Sequence, residues 1–271
     1  MTFLRPTLQS MLTRSIRDKW TERNSVLCVP EEVPIAISYG GSSHAVLMAT
    51  PDDLVDFAIG FSLTEGVIEN ISQIRSVDIV EGDLGIDLQI SLVDDVNEML
   101  RARKRNMAGP VGCGLCGIES IDQAMRTLPD LSSIRFQICH EAVVAATAKL
   151  YGAQKLHRET RAVHAAGLYL PEIGLVAARE DVGRHNALDK LCGHAIRSAV
   201  DRHRGAVVVT SRISVEMVQK TVMLGCPVLI AVSSPTALAI RTAEAAGVTL
   251  IALARGEDFE IFTCPSRVVP H

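Results

Sequence analysis

Hydrophobic positions along this chain recur with two patterns, and the change between them falls near residue 106. Before it the signals are short. Residues 1–24 are polar enough to read as a partly mobile lead-in. Val26–Tyr39 reads as two short strands interrupted by Pro30 and Pro34, Tyr39–Gly40–Gly41 as a turn, and His44–Ala49 as a further strand. Pro51, Asp52 and Asp53 then open a helix through about Glu65, with Leu54, Ala58, Phe61 and Leu63 as its apolar face. Ile74–Val80 and Gly85–Val93 read as a hairpin around Glu81–Gly82–Asp83, and Asp94 and Asp95 cap a helix ending in the basic run Arg101–Arg105. Residues 106–117 (NMAGPVGCGLCG) carry four glycines and one proline, which means loop and an expected mobile one. Helices follow at about Ile118–Thr127 and His140–Tyr151.

Beyond residue 160 the pattern is more regular. Val163–Leu170 and Gly174–Arg179 read as a strand pair around Pro171, and His185–Val200 as a helix. Strands at Ala206–Thr210, Val228–Val232 and Val248–Ala254 alternate with helices at Val215–Leu224 and Thr236–Ala246. Near-continuous apolar strands separated by helices indicate a sheet buried on both faces. The expected fold class is therefore α/β: a smaller N-terminal α+β domain over residues 1–105, then a three-layer α/β/α mixed-sheet domain over 106–271.

Composition narrows the function classes. The chain has 271 residues, 48% hydrophobic and 21% charged, which suits a folded globular protein. A net charge of −4 and 4% aromatic residues supply neither the field nor the stacking platforms that nucleic acid binding uses. No apolar run approaches the ~20 residues of a membrane span, and Met1–Asp18 lacks the apolar core of a secretory signal, so a cytoplasmic location is expected. Seven cysteines, five scattered and two close together, are not a disulfide framework.

The close pair is Cys113–Gly114–Leu115–Cys116, directly before a predicted helix. A helix amino end and a nearby thiol both lower a cysteine pKa and raise the thiolate fraction. Three readings stand: a structural zinc half-site, which lacks a second ligand pair; a thiol–disulfide redox pair; and a nucleophilic thiol that carries a group, for which sulfur as a persulfide is a natural cargo. Zinc deaminase chemistry is rejected. Its His-x-Glu before Pro-Cys-x-x-Cys is absent, since Pro110 is not adjacent to Cys113 and alanine follows His164 where the glutamate is required.

Polar clusters mark the strand-to-helix passages: Glu180–Asn186, Thr210–Ser214, Ser233–Thr236 and Arg255–Asp258. Ligands of open α/β sheets bind at the carboxyl ends of strands, and helix amino ends bind phosphate. Arg184, Arg212 and Arg255 are thus candidates to hold one anionic ligand. Taken singly, such serines, threonines and aspartates are ordinary helix caps. No Gly-x-Gly-x-x-Gly or Walker loop is present. His185 has the titration range of a general base, although a histidine just inside a helix is commonly a hydrogen-bonder. His164 reads as a strand or pocket residue, His140 and Glu141 as a helix start, and Arg101–Arg105 as a solvated face or a dock for an acidic partner.

Together these residues resemble one family. Cys113–Gly114–Leu115–Cys116–Gly117 is similar to the Cys-Gly-x-Cys-Gly loop of the FdhD family, the sulfur carriers that serve formate dehydrogenase. DVGRHNALDK (181–190), SRISVEMVQK (211–220), GCPVLIAVSSPT (225–236), VTLIALARGEDFEIFT (248–263) and TEGVI (64–68) extend the likeness. Two departures are Arg161 and Ala162, where the family has glycines, and Leu253, where phenylalanine is common.

The resemblance implies a cytidine-deaminase-like fold without deaminase chemistry, and sulfurtransferase activity. Sulfur would pass from a cysteine desulfurase, as a persulfide on Cys113 assisted by Cys116, to the bis-molybdopterin guanine dinucleotide molybdenum cofactor of formate dehydrogenase. It also implies a cytoplasmic homodimer. Arg184, Ser211, Arg212, Ser233, Ser234, Thr236 and the turn Leu253, Ala254, Arg255, Gly256, Glu257 and Asp258 would then hold the guanine nucleotide ends, and a GDP-like nucleotide would bind the same site. No metal of the protein's own is expected. A thiol–disulfide oxidoreductase and a non-catalytic molybdenum-cofactor chaperone are the alternatives.

Overall fold

A computed structural model describes residues 6–17, 21–98 and 126–270. The cysteine loop 106–117, the basic run Arg101–Arg105, the boundary placed near residue 106 and nearly all of the helix expected at 118–127 lie outside the described residues.

The chain opens with an antiparallel ribbon, β1 (Leu8–Arg17) and β2 (Thr21–Pro30); the strand read from Val26 is the end of β2, while β1 and the start of β2 fall where a polar lead-in was expected. The reason for the miss is physical. Gln9, Ser10 and Met11 are all exposed, so among the described residues of β1 no buried side chain imposes an alternation that the sequence would display. A four-stranded sheet follows, in the order β4–β3–β6–β5, from β3 (Val33–Tyr39), β4 (Ser42–Ala49), β5 (Ile74–Glu81) and β6 (Ile86–Leu92). Pro34 does not interrupt β3. The β3–β6 ladder begins one residue later, at Ile35–Ile86, so the missing N–H falls outside that ladder.

Helix α1 (Leu54–Thr64) lies between this sheet and the rest of the chain. Almost every residue of it is buried, as expected of a helix packed on both sides. The chain resumes with β7 (Ile138–Cys139), α2 (His140–Ala153) and α3 (Lys155–Thr160), the last of which no periodicity announced.

A six-stranded mixed sheet forms the centre of the C-terminal half. Its order is β13–β12–β11–β10–β8–β9, from β8 (His164–Leu170), β9 (Gly174–Asp181), β10 (Ala206–Val209), β11 (Val228–Ala231), β12 (Thr249–Arg255) and β13 (Asp258–Ile261). The strands β10, β11 and β12 run parallel, while β8, β9 and β13 pair antiparallel to their neighbours. A short strand β14 (Val268–Val269) pairs with β7.

Alternation along the central strands sends Ala206, Val208, Val228 and Ile230 to a core formed with Ala142, Val143, Ala146 and Leu150 of α2. It sends Val207, Val209, Leu229 and Ala231 to the opposite core, under α4 (Arg184–Arg197), α5 (Val215–Leu224) and α6 (Ala237–Ala245). The same cluster runs on through α1 into Ile35, Ile37, Leu88 and Ile90 of the four-stranded sheet. Both sheets thus share one helical layer.

Two glycines permit the closest approach in that layer. A Cβ on Gly60 of α1 would stand 1.7 Å from the carbonyl oxygen of Asp189, and one on Gly193 of α4 would stand 1.9 Å from that of Asp56. Only glycine fits at either place. Among the described residues no helix is long and apolar enough to cross a membrane.

Candidate functional site

Because β10, β11 and β12 are parallel, their carboxyl ends share one edge. The antiparallel β8 brings its first residue, His164, to that edge, and β9 brings its last, Asp181, paired with His164. All four predicted polar segments therefore arrive together. Hydrogen bonds, most of them between main-chain groups, hold them in place. Ala165 N donates to Thr210 Oγ1 (3.0 Å), and Thr210 N to Ala165 O (3.1 Å). Ile213 N donates to Ser234 O (3.3 Å), Thr236 N to Ile213 O (3.0 Å) and Leu253 N to Ser233 O (3.3 Å).

Three helices start here, capped by Gly183, Ser214 and Thr236. Thr236 Oγ1 accepts from Ala239 N (3.2 Å), which closes the start of α6. The starts of α4 and α5 carry no such side-chain cap, so their positive ends remain available to an anion.

The predicted residues differ in what they offer. Arg212 and Arg255 are exposed, and Arg255 Nε donates to Val232 O (3.4 Å). Ser234 is exposed, Ser233 half-buried, and Ser211 is buried with its hydroxyl on Arg212 O (3.1 Å). Leu253 is exposed and holds φ +55°, a conformation that disfavours any side chain but glycine's. Strain of this kind concentrates where the surrounding structure fixes a functional shape. Ala254 faces away, into the core beneath α2. Gly256, at φ +61°, turns the chain into β13 together with Glu257 and Asp258, and Glu257 O lies 2.9 Å from His140 Nε2. Thus His140 pins the turn, beyond starting a helix.

Arg184 is half-buried, and its Nε is buried with no hydrogen-bond partner among the described residues. A buried donor left unpaired among the described residues is unusual and costly, so Arg184 Nε is a candidate to meet a ligand. His185 Nε2 lies 3.1 Å from Glu216 Oε2 and 3.4 Å from Ser214 Oγ. Burial, then Arg184 beside it, pushes the His185 imidazole down to about 4. Burial and Arg184 also lower His164. At neutral pH both rings are uncharged, and the positive charge of the edge comes from its arginines.

Sequence reasoning missed how the charged residues of the family-like segments are used. Asp181 and Lys190 are wholly buried and paired at 2.7 Å. Asp181 also accepts from Thr50 N, Gly183 N and Asn186 Nδ2, so it closes the turn that presents Arg184 and His185. Lys220 bonds Asp189 (2.9 Å), Glu65 (2.8 Å) and Thr64 Oγ1 (3.0 Å). Burial would discharge Lys220, but Asp189 and Glu65 outweigh it and hold the ammonium charged. A third network joins Asp56 of α1 to Arg179 of β9 and Arg197 of α4. The signal was present: Lys220 shares the helical phase of Met217 and Leu224, and Asp189–Lys190 sits between Leu188 and Leu191.

Cys113 and Cys116 lie outside the described residues. Of the other cysteines, Cys192 and Cys226 are fully buried, and burial pushes Cys226 up to about 12 and Cys192 well above the ordinary thiol range. Both are inert as nucleophiles at neutral pH.

Comparison with known proteins adds the family. The model of the FdhD/NarQ family matches residues 30–269. A sulfur carrier protein FdhD of Agrobacterium fabrum is 62% identical over 241 residues, covering 89% of each chain. One of Brucella abortus is 56% identical over 241 residues, covering 89% of this chain and 90% of that one. A crystal structure described as a formate dehydrogenase accessory protein of Desulfotalea psychrophila superposes with a TM-score of 0.76 at 25% identity. It covers 97% of this chain and 100% of the other.

Proposed function

Since this chain belongs to the FdhD/NarQ family, we propose that it is a sulfur carrier for formate dehydrogenase, acting as a sulfurtransferase. The observation that carries the site is the convergence of Arg184, Arg212 and Arg255 with two uncapped helix starts on one sheet edge. That edge suits the phosphates of a guanine dinucleotide. The unpaired Nε of Arg184 fits such an anionic substrate. The six-stranded sheet with helices on both faces supports the likeness to the cytidine deaminase fold.

In the proposed reaction the Cys113 thiolate attacks the outer sulfur of a persulfide on a cysteine desulfurase. The donor S–S bond breaks, the desulfurase thiolate leaves, and Cys113 holds the sulfur as a persulfide. The Cys116 thiolate then attacks Cys113 Sγ. A Cys113–Cys116 disulfide forms and hydrosulfide departs toward the molybdenum cofactor, so the two electrons come from the thiol pair. A cellular dithiol restores the pair. The cofactor, with its two pterin guanine dinucleotides, is substrate here, and the protein's groups bind and orient its phosphates. We place this chemistry in the cytoplasm, in a homodimer.

The nucleotide half is tested by calorimetric titration with GDP. Arg212→Ala and Arg255→Ala should each weaken binding about tenfold, the loss of one charge-assisted contact. Binding unaltered in both variants removes these residues from the site.

A further inference from the structure

A cavity of about 440 Å³ is lined by the end of α2 and by α3, outside the four strand-end segments. Tyr151, His157, Arg158 and Arg161 line it, three basic side chains and one aromatic ring. Its volume is that of a small-molecule pocket. The acidic residue of the same helix, Glu159, lines a separate cavity with Asp52 and Asp53. Among the described residues neither Arg158 nor Arg161 forms an ion pair.

The pocket is built from fixed parts. Arg158 Nη1 donates to Gly152 O (2.7 Å), which ties the guanidinium to the carboxyl end of α2. His157 Nδ1 lies 3.1 Å from Val163 O, and His157 N donates to Glu180 Oε1 (2.8 Å). Arg161 ends α3 at φ +56°, where glycine is the usual occupant. The backbone thus carries strain at a residue whose side chain adds a guanidinium to the pocket. Tyr151 is 75% exposed, unusual for so large a ring and suited to stacking.

We propose that this cavity binds the phosphate group of a small ring-bearing ester, with Arg158, Arg161 and His157 on the phosphate and Tyr151 against the ring. Paired arginines recognise phosphate by charge-assisted, bidentate hydrogen bonds. The proposal stands apart from the sulfur-carrier reading and uses none of its residues.

The test is calorimetric titration of the full chain with phenyl phosphate and with inorganic phosphate, at low salt. Both should bind, and Arg161→Gly should weaken both at least tenfold. The same variant should unfold at an equal or higher temperature, because glycine accepts the positive φ without strain. Tyr151→Ala separates the sources. If it weakens phenyl phosphate alone, the ligand is a ring-bearing ester; if it weakens neither, the phosphate is recognised but the ring role is overturned. Arg241→Ala, which removes an exposed charge of α6 outside both sites, should leave both affinities unchanged. Absence of binding, wild-type affinity in Arg161→Gly, or an equal loss in Arg241→Ala overturns the site.

Discussion

The buried pair of Asp181 and Lys190 ties the fold to the candidate site, and its removal has calculable limits. Both side chains are fully buried, 2.7 Å apart. In Lys190→Met, Asp181 keeps three N–H donors: Thr50 N at 3.0 Å, Gly183 N at 2.7 Å and Asn186 Nδ2 at 3.0 Å. The orphaned acid can also take up a proton, which from an ordinary aspartate pKa of about 3.9 caps the cost at about 4.2 kcal/mol at pH 7. With three donors retained, a loss of about 3 kcal/mol is expected, the lower end for a broken buried pair.

Asp181→Ala is worse. It leaves the ammonium with one hydrogen-bond acceptor, Thr50 O at 2.8 Å, and the Phe57 ring at 5.7 Å. Discharging an ordinary lysine at pH 7 costs about 4.6 kcal/mol, so a loss of about 4–5 kcal/mol is expected. In the double variant, Asp181→Ala with Lys190→Met, no charge is buried, and the coupling energy should exceed about 2 kcal/mol. Denaturant unfolding followed by far-ultraviolet circular dichroism reads all of these, provided the slopes agree. A Lys190→Met loss below about 1 kcal/mol, or additivity within about 0.5 kcal/mol, refutes the reasoning.

Other outcomes follow from particular contacts. Gly193→Ala puts a methyl 1.9 Å from Asp56 O and should cost about 3 kcal/mol or more, whereas Gly152→Ala, with nothing within 4 Å in α2, should gain about 0.5–1 kcal/mol. Thermal unfolding of the two variants should move in opposite directions, and equal shifts contradict the packing account. The pH dependence concerns His185, held down to about 4 when folded. Between about 6.5 and 4 the unfolded chain binds a proton there that the folded chain refuses, so stability is lost as pH falls through this window. His185→Gln should flatten that part of the profile of unfolding midpoint against pH; an unchanged slope assigns it to other groups.

The six-stranded sheet was legible because its strands are buried on both faces. Val207–Val209 and Val228–Ala231 can be nothing else when bounded by helical periods. The strand-end clusters were legible for the same reason: once the strands are parallel, their carboxyl ends must meet. β1 was not legible, since its described end buries no side chain, and of β2 only the stretch from Val26 read as a strand. Nor was α3, six residues that hang from Glu180 through Leu156 N and His157 N. The helix–helix approach at Gly60 and Gly193 needs two distant segments to be seen together. The buried charges were visible as letters but not as pairs, because Lys190 finds Asp181 and Lys220 finds Glu65 only after the turns between them are folded.

The central claim is that sulfur travels on the pair Cys113 and Cys116. The most direct measurement is mass spectrometry of the peptide that bears them, after incubation with a cysteine desulfurase and cysteine and alkylation without reductant. One added sulfur on that peptide, with Cys192 and Cys226 unmodified, is the predicted result, and Cys113→Ser should abolish it. A peptide that stays unmodified, while the desulfurase loads a control acceptor, contradicts the account and favours a redox or cofactor-chaperone role.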